Sequence, residues 1–141
     1  MRRLWASAGA LLALGSCASS PTVPSVEPVR EFVLAAGDGA TVSGTGLTVR
    51  FERVTSDSRC PADVVCIVAG NAVVAVTVVR EGRPSQALSL RTDAAQSRAE
   101  VGDWALSLTK VEPYPYSDRT IAPGDYKATF RVDPLAEPAR P

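Results

Sequence analysis

The sequence predicts an all-β fold: an antiparallel, immunoglobulin-like β-sandwich of about seven or eight strands, with a small barrel as the alternative. Apolar and polar residues alternate with a period of two along several segments, which is typical of strands that bury one face. Turn sequences rich in glycine and proline separate these segments at intervals of roughly 8 to 12 residues. Beyond the amino-terminal segment, no stretch of eleven or more residues has apolar positions at helical spacing.

The predicted strands follow one another along a domain that spans residues 30–133. In the clearest of them, Leu47, Val49 and Phe51 alternate with polar residues, so one face is expected to be buried. The last strand has the same alternation and opens with Tyr126. The full set of predicted strands is residues 32–34, 40–42, 47–52, 72–79, 88–90, 98–101, 104–109 and 126–133.

One predicted strand, residues 72–79, is apolar at both odd and even positions. A strand of this composition is expected in the centre of a sheet with both faces covered. The alternative is a sheet face that stays exposed until a partner binds it.

The amino-terminal residues 1–16 have the layout of a bacterial export signal: Arg2 and Arg3, an apolar run, and small residues before Cys17. The Leu-Gly-Ser-Cys ending resembles a lipobox, which implies that Cys17 is acylated and becomes the first residue of the mature protein. The apolar run is too short to cross a hydrocarbon core of about 30 Å. A conventional cleaved signal and a short amphipathic start are the alternatives. Because the ending resembles a lipobox and the apolar run is too short to span a bilayer, we expect attachment to the membrane through the lipid at Cys17.

Two segments flank the predicted domain. Residues 17–29 begin with the acylated cysteine and are rich in proline and serine, which predicts an extended tether. Residues 134–141 contain three prolines and are predicted to form a disordered tail.

The composition excludes several classes of function. The chain has no histidine, which excludes Ser-His-Asp catalysis and zinc bound by imidazole. Fifteen basic residues balance fifteen acidic ones, and loss of Arg2 and Arg3 with the signal leaves a net charge of about −2, so nucleic acid is not an expected partner. No glycine-rich phosphate loop or dinucleotide motif is present, so no nucleotide or cofactor is expected. Two cysteines and Asp63 without histidine do not complete a zinc shell, and no calcium-binding loop spacing is present, so no metal is expected. The prediction is a protein that is not an enzyme.

The remaining cysteines, Cys60 and Cys66, form an even pair once Cys17 carries lipid. In an exported protein such a pair is expected to be a structural disulfide. A thiol-redox site is the alternative, but the Cys-x-x-Cys spacing of such sites is absent.

The segment around these cysteines resembles a family of small, uncharacterised bacterial secreted proteins and lipoproteins. Its marks are an Asp-Ser-Arg-Cys-Pro stretch at residues 57–61, a second cysteine at Cys66 and an Ala-Gly step at residues 69–70. Val68 stands where the family usually has an aromatic residue. Later pieces that the family tends to carry are a Pro-x-Pro loop at residues 113–115 and a closing strand opened by residues 125–126. The resemblance implies this fold and an envelope location, and it brings no established activity.

Four loop residues are candidates for binding. Asp57 and Arg59 are expected to form a local ion pair or to cap backbone groups, with ligand recognition as the alternative. Tyr114 and Tyr116 are expected to pack over the end of the sandwich, with partner contact as the alternative.

The predicted function is accordingly that of a lipid-anchored bacterial envelope protein that acts as a non-enzymatic binding module. Its expected partners are the membrane, through the lipid at Cys17, and an envelope protein. The alternative function is that of an envelope enzyme or a thiol-redox protein that uses Cys60 and Cys66.

Overall fold

The computed structural model of the protein describes residues 30–135, and the predicted signal, the tether and residues 136–141 lie outside this range. The described residues form two four-stranded antiparallel sheets, which confirms the predicted all-β sandwich. The strands of the described range are β1 (Arg30–Ala35), β2 (Gly39–Val42), β3 (Leu47–Asp57), β4 (Ala72–Arg80), β5 (Gln86–Arg91), β6 (Arg98–Val101), β7 (Trp104–Glu112) and β8 (Lys127–Pro134), and a 3-10 turn (Pro123–Asp125) precedes β8.

Residues 30–135 form two separate sheets and do not form a closed barrel. The first sheet has the order β1-β8-β7-β6, and the second has the order β2-β3-β4-β5. In the first sheet β6 is short and pairs with β7 only as far as Ser107. In the second sheet β4 lies between β3 and β5, which confirms its predicted central position.

The core lies between the facing surfaces of the two sheets. Leu47, Val49 and Phe51 of β3 are fully buried, as their alternation predicted. The Phe51 ring packs edge-on against Phe130 of β8, with ring centroids 6.2 Å apart. Burial of aromatic side chains of this size is a main source of stability in a domain of about 100 residues.

The prediction that β4 is covered on both faces is wrong. Val74, Val76 and Val78 are buried in the core, but the opposite face is only partly buried and Val79 is exposed. In a two-layer sandwich each sheet is covered by the other on one face only. The outer face of β4 therefore has no second sheet packed on it.

Strand irregularities shift the alternation near one end of the sandwich. A bulge between Leu108 and Lys110 changes the phase of β7, so that Val111 is buried two residues past the predicted end of the strand. Bulges insert an extra residue and re-aim the side chains that follow. At β8 the prediction placed Tyr126 inside the strand, whereas the strand begins at Lys127 because the 3-10 turn precedes it. The strand continues through Pro134, so the prediction that the disordered tail begins at residue 134 is wrong at that residue.

The antiparallel register gives the sandwich two distinct ends. At one end lie residues 58–71, which connect β3 to β4, and residues 113–126, which connect β7 to β8; we call this the loop end. At the opposite end Arg30 is paired with Val132, and its guanidinium lies 5.1 Å from the Trp104 ring; we call this the Arg30 end.

Candidate functional site

The candidate functional site is the loop end, where the two long loops bind each other. The Ala62 N–H donates to the Pro115 carbonyl over 3.0 Å. The Asp63 carboxylate accepts from the Ser117 N–H over 2.9 Å and also from the Ser117 hydroxyl. These bonds, together with those of Arg59 described below, join residues 58–71 and 113–126 into one surface.

The loop of residues 58–71, which we call the disulfide loop, is closed twice at its base. The Ser58 N–H donates to the Asn71 carbonyl over 2.9 Å, and the Cys60 N–H donates to the Ala69 carbonyl over 2.8 Å. The predicted disulfide between Cys60 and Cys66 is confirmed, with a Cα–Cα distance of 5.9 Å. Because both ends of the loop are tied, its tip is held in position relative to the sheets.

Gly70 is required for this closure. Its φ angle of 65° lies in the left-handed region, where side chains are strained. A Cβ atom at this position would overlap the Ser58 carbonyl oxygen and lie 2.5 Å from the Ser58 carbonyl carbon. The two chain segments at the base of the loop can approach this closely only because residue 70 is a glycine.

Arg59 is the centre of the loop end. Its guanidinium donates two hydrogen bonds to the Asp57 carboxylate, from Nε over 2.8 Å and from Nη2 over 2.6 Å. Nη1 donates to the Val111 carbonyl over 2.6 Å and Nη2 donates to the Pro113 carbonyl over 3.0 Å. The two side chains of the ion pair keep only 6% and 10% of their surface exposed. The predicted roles of local ion pair and backbone cap are both present.

Asp57 completes a buried polar cluster with Arg59 and Tyr126. Burial favours the neutral carboxylic acid, but the hydrogen bonds and positive charge of Arg59 and the bond donated by Tyr126 Oη over 3.2 Å outweigh it. The pKa of Asp57 is therefore lowered. Burial raises the pKa of Tyr126, and the neighbouring carboxylate of Asp57 raises it further. The cluster thus holds an ionised aspartate beside a neutral tyrosine.

This lowered pKa predicts a pH dependence of stability. A carboxylate whose folded pKa lies below its unfolded value contributes fully above the unfolded pKa and loses that contribution as the pH falls through the folded pKa. Wild type should therefore exceed Asp57→Asn in free energy of unfolding by about 2–3 kcal/mol at pH 7. Denaturant titrations should show this gap narrowing below about pH 4. A gap that is constant between pH 7 and pH 3 would contradict the assignment.

The two tyrosines of the second loop are half-exposed. The Arg59 guanidinium lies 5.1 Å from the Tyr114 ring, and the Arg119 guanidinium lies 4.7 Å from the Tyr116 ring. The expectation that the tyrosines are covered by packing over the end of the sandwich is therefore met only in part. Their free faces remain on the surface of the loop end.

The tip of the disulfide loop presents a group of exposed aliphatic side chains. Val65 and Ile67 are fully exposed, at 101% and 104%, and Val68 is 75% exposed. With Val64, which is also exposed, these residues form what we call the apolar tip. Single exposed aliphatic side chains are common on soluble proteins, but a cluster on a tied loop marks an interaction surface.

The apolar tip is not among the candidate site residues that the sequence predicts. A usable signal is nevertheless present. Four of the five residues from 64 to 68 are aliphatic, yet they are flanked by a proline on one side and a glycine on the other. A short aliphatic run that lies between two turn signals has too few residues to form a strand across the core. Such a run is a candidate for an exposed segment.

An open cavity of about 570 Å³ lies beside the base of the disulfide loop. The cavity is lined by Arg59 and Gly70 of the disulfide loop, by Lys110 and Glu112 of β7, and by Tyr114. Cavities of this size accommodate small ligands or a few residues of a peptide. Lys110 and Glu112 form an exposed ion pair at its rim, with Nζ and Oε1 2.8 Å apart.

Other features of the described chain bear on the remaining candidates. Among residues 30–135, no three histidine, cysteine or acidic side chains are grouped as metal ligands. The same residues contain no helix with the length and apolar character needed to cross a bilayer. Cys17 lies outside the described range, so its acylation stays a prediction. Comparison with protein-family models, curated proteins and solved structures finds no match to this chain, and the resemblance predicted from residues 57–61 also stays a prediction.

Proposed function

We propose that this protein is a lipid-anchored component of the bacterial envelope whose loop end binds another envelope component without catalysing a reaction. The observation that carries the proposal is the apolar tip, in which Val65 and Ile67 are fully exposed on a loop that a disulfide and Gly70 hold in place. A loop whose backbone is already tied loses less conformational entropy on binding than a free loop, which favours association.

The polar groups of the loop end support binding over catalysis. Asp57, Arg59 and Tyr126 bond to one another and to backbone carbonyls, so their charges stabilise the loops. Asp63 is bonded to Ser117 of the neighbouring loop. A general base or nucleophile needs a free hydrogen-bonding position that faces the substrate. These side chains instead use their hydrogen bonds to hold the two loops together.

The anchoring part of the proposal is supported by the amino-terminal pattern that ends at Cys17. The chain reaches the described domain at Arg30, at the end opposite the two loops. The point where the chain enters the described domain is therefore distant from the apolar tip and from both tyrosines.

The binding part is tested by site-specific photocrosslinking in cells. A diazirine amino acid at Ile67 should give adducts with an envelope component on irradiation, because this side chain is fully exposed at the tip. The same amino acid at Arg83, on the exposed turn between β4 and β5 at the Arg30 end, is the matched control. Adduct yields from position 67 that do not exceed those from position 83 would contradict the proposal.

The anchoring part is tested by Cys17→Ser. Without the acceptor thiol, acylation and the processing that depends on it should stop. We expect the variant to accumulate as an unprocessed precursor and the wild type to partition into the detergent phase after extraction. A variant that is processed and still partitions into detergent would show that another element anchors the protein.

A further inference from the structure

We propose that the apolar tip, Val64, Val65, Ile67 and Val68, inserts into the surface of a lipid bilayer. This inference rests on the proposed function and names the component that the loop end binds. It follows from the shape, the composition and the position of the tip.

The shape of the tip suits a fluid partner. Val65 and Ile67 have no neighbouring side chain that covers them, so they project from the protein as a convex point. A convex aliphatic point needs a fitted pocket on a protein partner, whereas acyl chains adapt their packing to it. Apolar side chains of interfacial segments enter the boundary between headgroups and acyl chains to a depth of about 5–10 Å.

The composition of the tip points to lipid over protein. Energetic centres of protein interfaces are enriched in tryptophan, tyrosine and arginine, and valine is under-represented there. Residues 64–71 contain no charged side chain, so nothing at the tip itself resists entry into an apolar layer. Tyr114 and Tyr116 lie half-exposed on the adjacent loop, and tyrosine is favoured at the level of the headgroups.

The position of the tip is compatible with the membrane that holds the predicted anchor. The chain enters the domain at Arg30, which pairs with Val132, and the five residue steps along β8 from Val132 to Lys127 at the loop end span about 17 Å. Residues 18–29 supply twelve residues, which reach at most about 40 Å when extended. This segment is long enough to pass along the domain while the tip rests on the same membrane surface.

The test measures which end of the domain contacts lipid. Val68→Trp places a fluorescent reporter in the tip, and Arg83→Trp places one on the exposed turn at the Arg30 end. Both variants, as mature full-length protein, are reconstituted in phosphatidylcholine vesicles that contain brominated acyl chains, which quench tryptophan on contact. The unmodified protein gives the contribution of Trp104, which all samples share.

We expect quenching of Val68→Trp to exceed that of Arg83→Trp at least about twofold, because only the tip reaches the acyl chains. The Val65→Ser and Ile67→Ser changes, added together to Val68→Trp, should remove this excess. Since the tip is uncharged, the excess should be the same when a quarter of the lipid is phosphatidylglycerol. Equal quenching at the two ends, stronger quenching at Arg83→Trp, or an excess that survives the serine changes would each overturn the inference.

The inference and the proposed function fail separately. If the tip is not quenched but the diazirine at Ile67 captures an envelope protein, the loop end is a protein-binding surface and the inference about lipid is wrong. If the tip is not quenched and position 67 gives no adduct above position 83, both are wrong.

Discussion

Arg59→Met will lower the free energy of unfolding by about 3–5 kcal/mol, the cost of removing one partner from a buried ion pair. Methionine keeps much of the side-chain volume but donates no hydrogen bond. The Asp57 carboxylate then loses its bidentate partner while it stays largely buried, and the carbonyls of Val111 and Pro113 lose their donor. Denaturant unfolding at pH 7 measures the loss.

Arg119→Met is the matched control for this result. Arg119 also pairs with an aspartate close in sequence, Asp118, and also stacks on a tyrosine, Tyr116. Its side chain, however, is 66% exposed, so the ion pair is screened by water and should be worth less than about 1 kcal/mol. Similar losses in free energy of unfolding for the two variants would show that the burial of Arg59 does not add to the stability of the domain.

Gly70→Ala is the second change for which we expect a large effect. It adds one methyl group, and that methyl group would occupy the position of the Ser58 carbonyl oxygen. The base of the disulfide loop must then open, with loss of the bonds between Ser58 and Asn71 and between Cys60 and Ala69. We expect a loss of more than about 3 kcal/mol from overpacking and left-handed strain together.

Gly82→Ala separates these two causes. Gly82 has a φ angle of 71°, close to that of Gly70, but a Cβ there meets nothing within 4 Å. Its replacement should cost only the conformational strain, about 1–2 kcal/mol. Thermal or denaturant unfolding of both variants gives the comparison, and equal losses would rule out a steric role for Gly70.

Much of the fold could be predicted because sheet burial follows a simple period. Leu47, Val49 and Phe51 alternate with polar residues and are buried as predicted. Prediction was poorer where local irregularities intervene: the bulge after Leu108 changes which residues face the core, and no residue type specifies a bulge at this position. The partial exposure of the outer face of β4 was also missed, because apolar residues at both odd and even positions do not reveal which face of the sheet is covered.

The candidate site was predictable only in its local parts. The disulfide and the pairing of Asp57 with Arg59 join residues close in sequence, and both are present. The bonds from Arg59 to Val111 and Pro113 connect residues more than fifty positions apart, and only the packing of the two sheets brings them together. Sequence patterns of period two contain no information on such contacts.

The short β6 has a consequence for how the protein avoids pairing with copies of itself. β6 pairs with β7 only as far as Ser107, so within the described chain no strand lies beside Val111 and Pro113 on the side that faces away from β8, and their carbonyls could pair with a strand of another molecule. The Arg59 guanidinium occupies both carbonyls instead. A single side chain from the disulfide loop thus occupies an edge that could otherwise pair with a second copy of the protein.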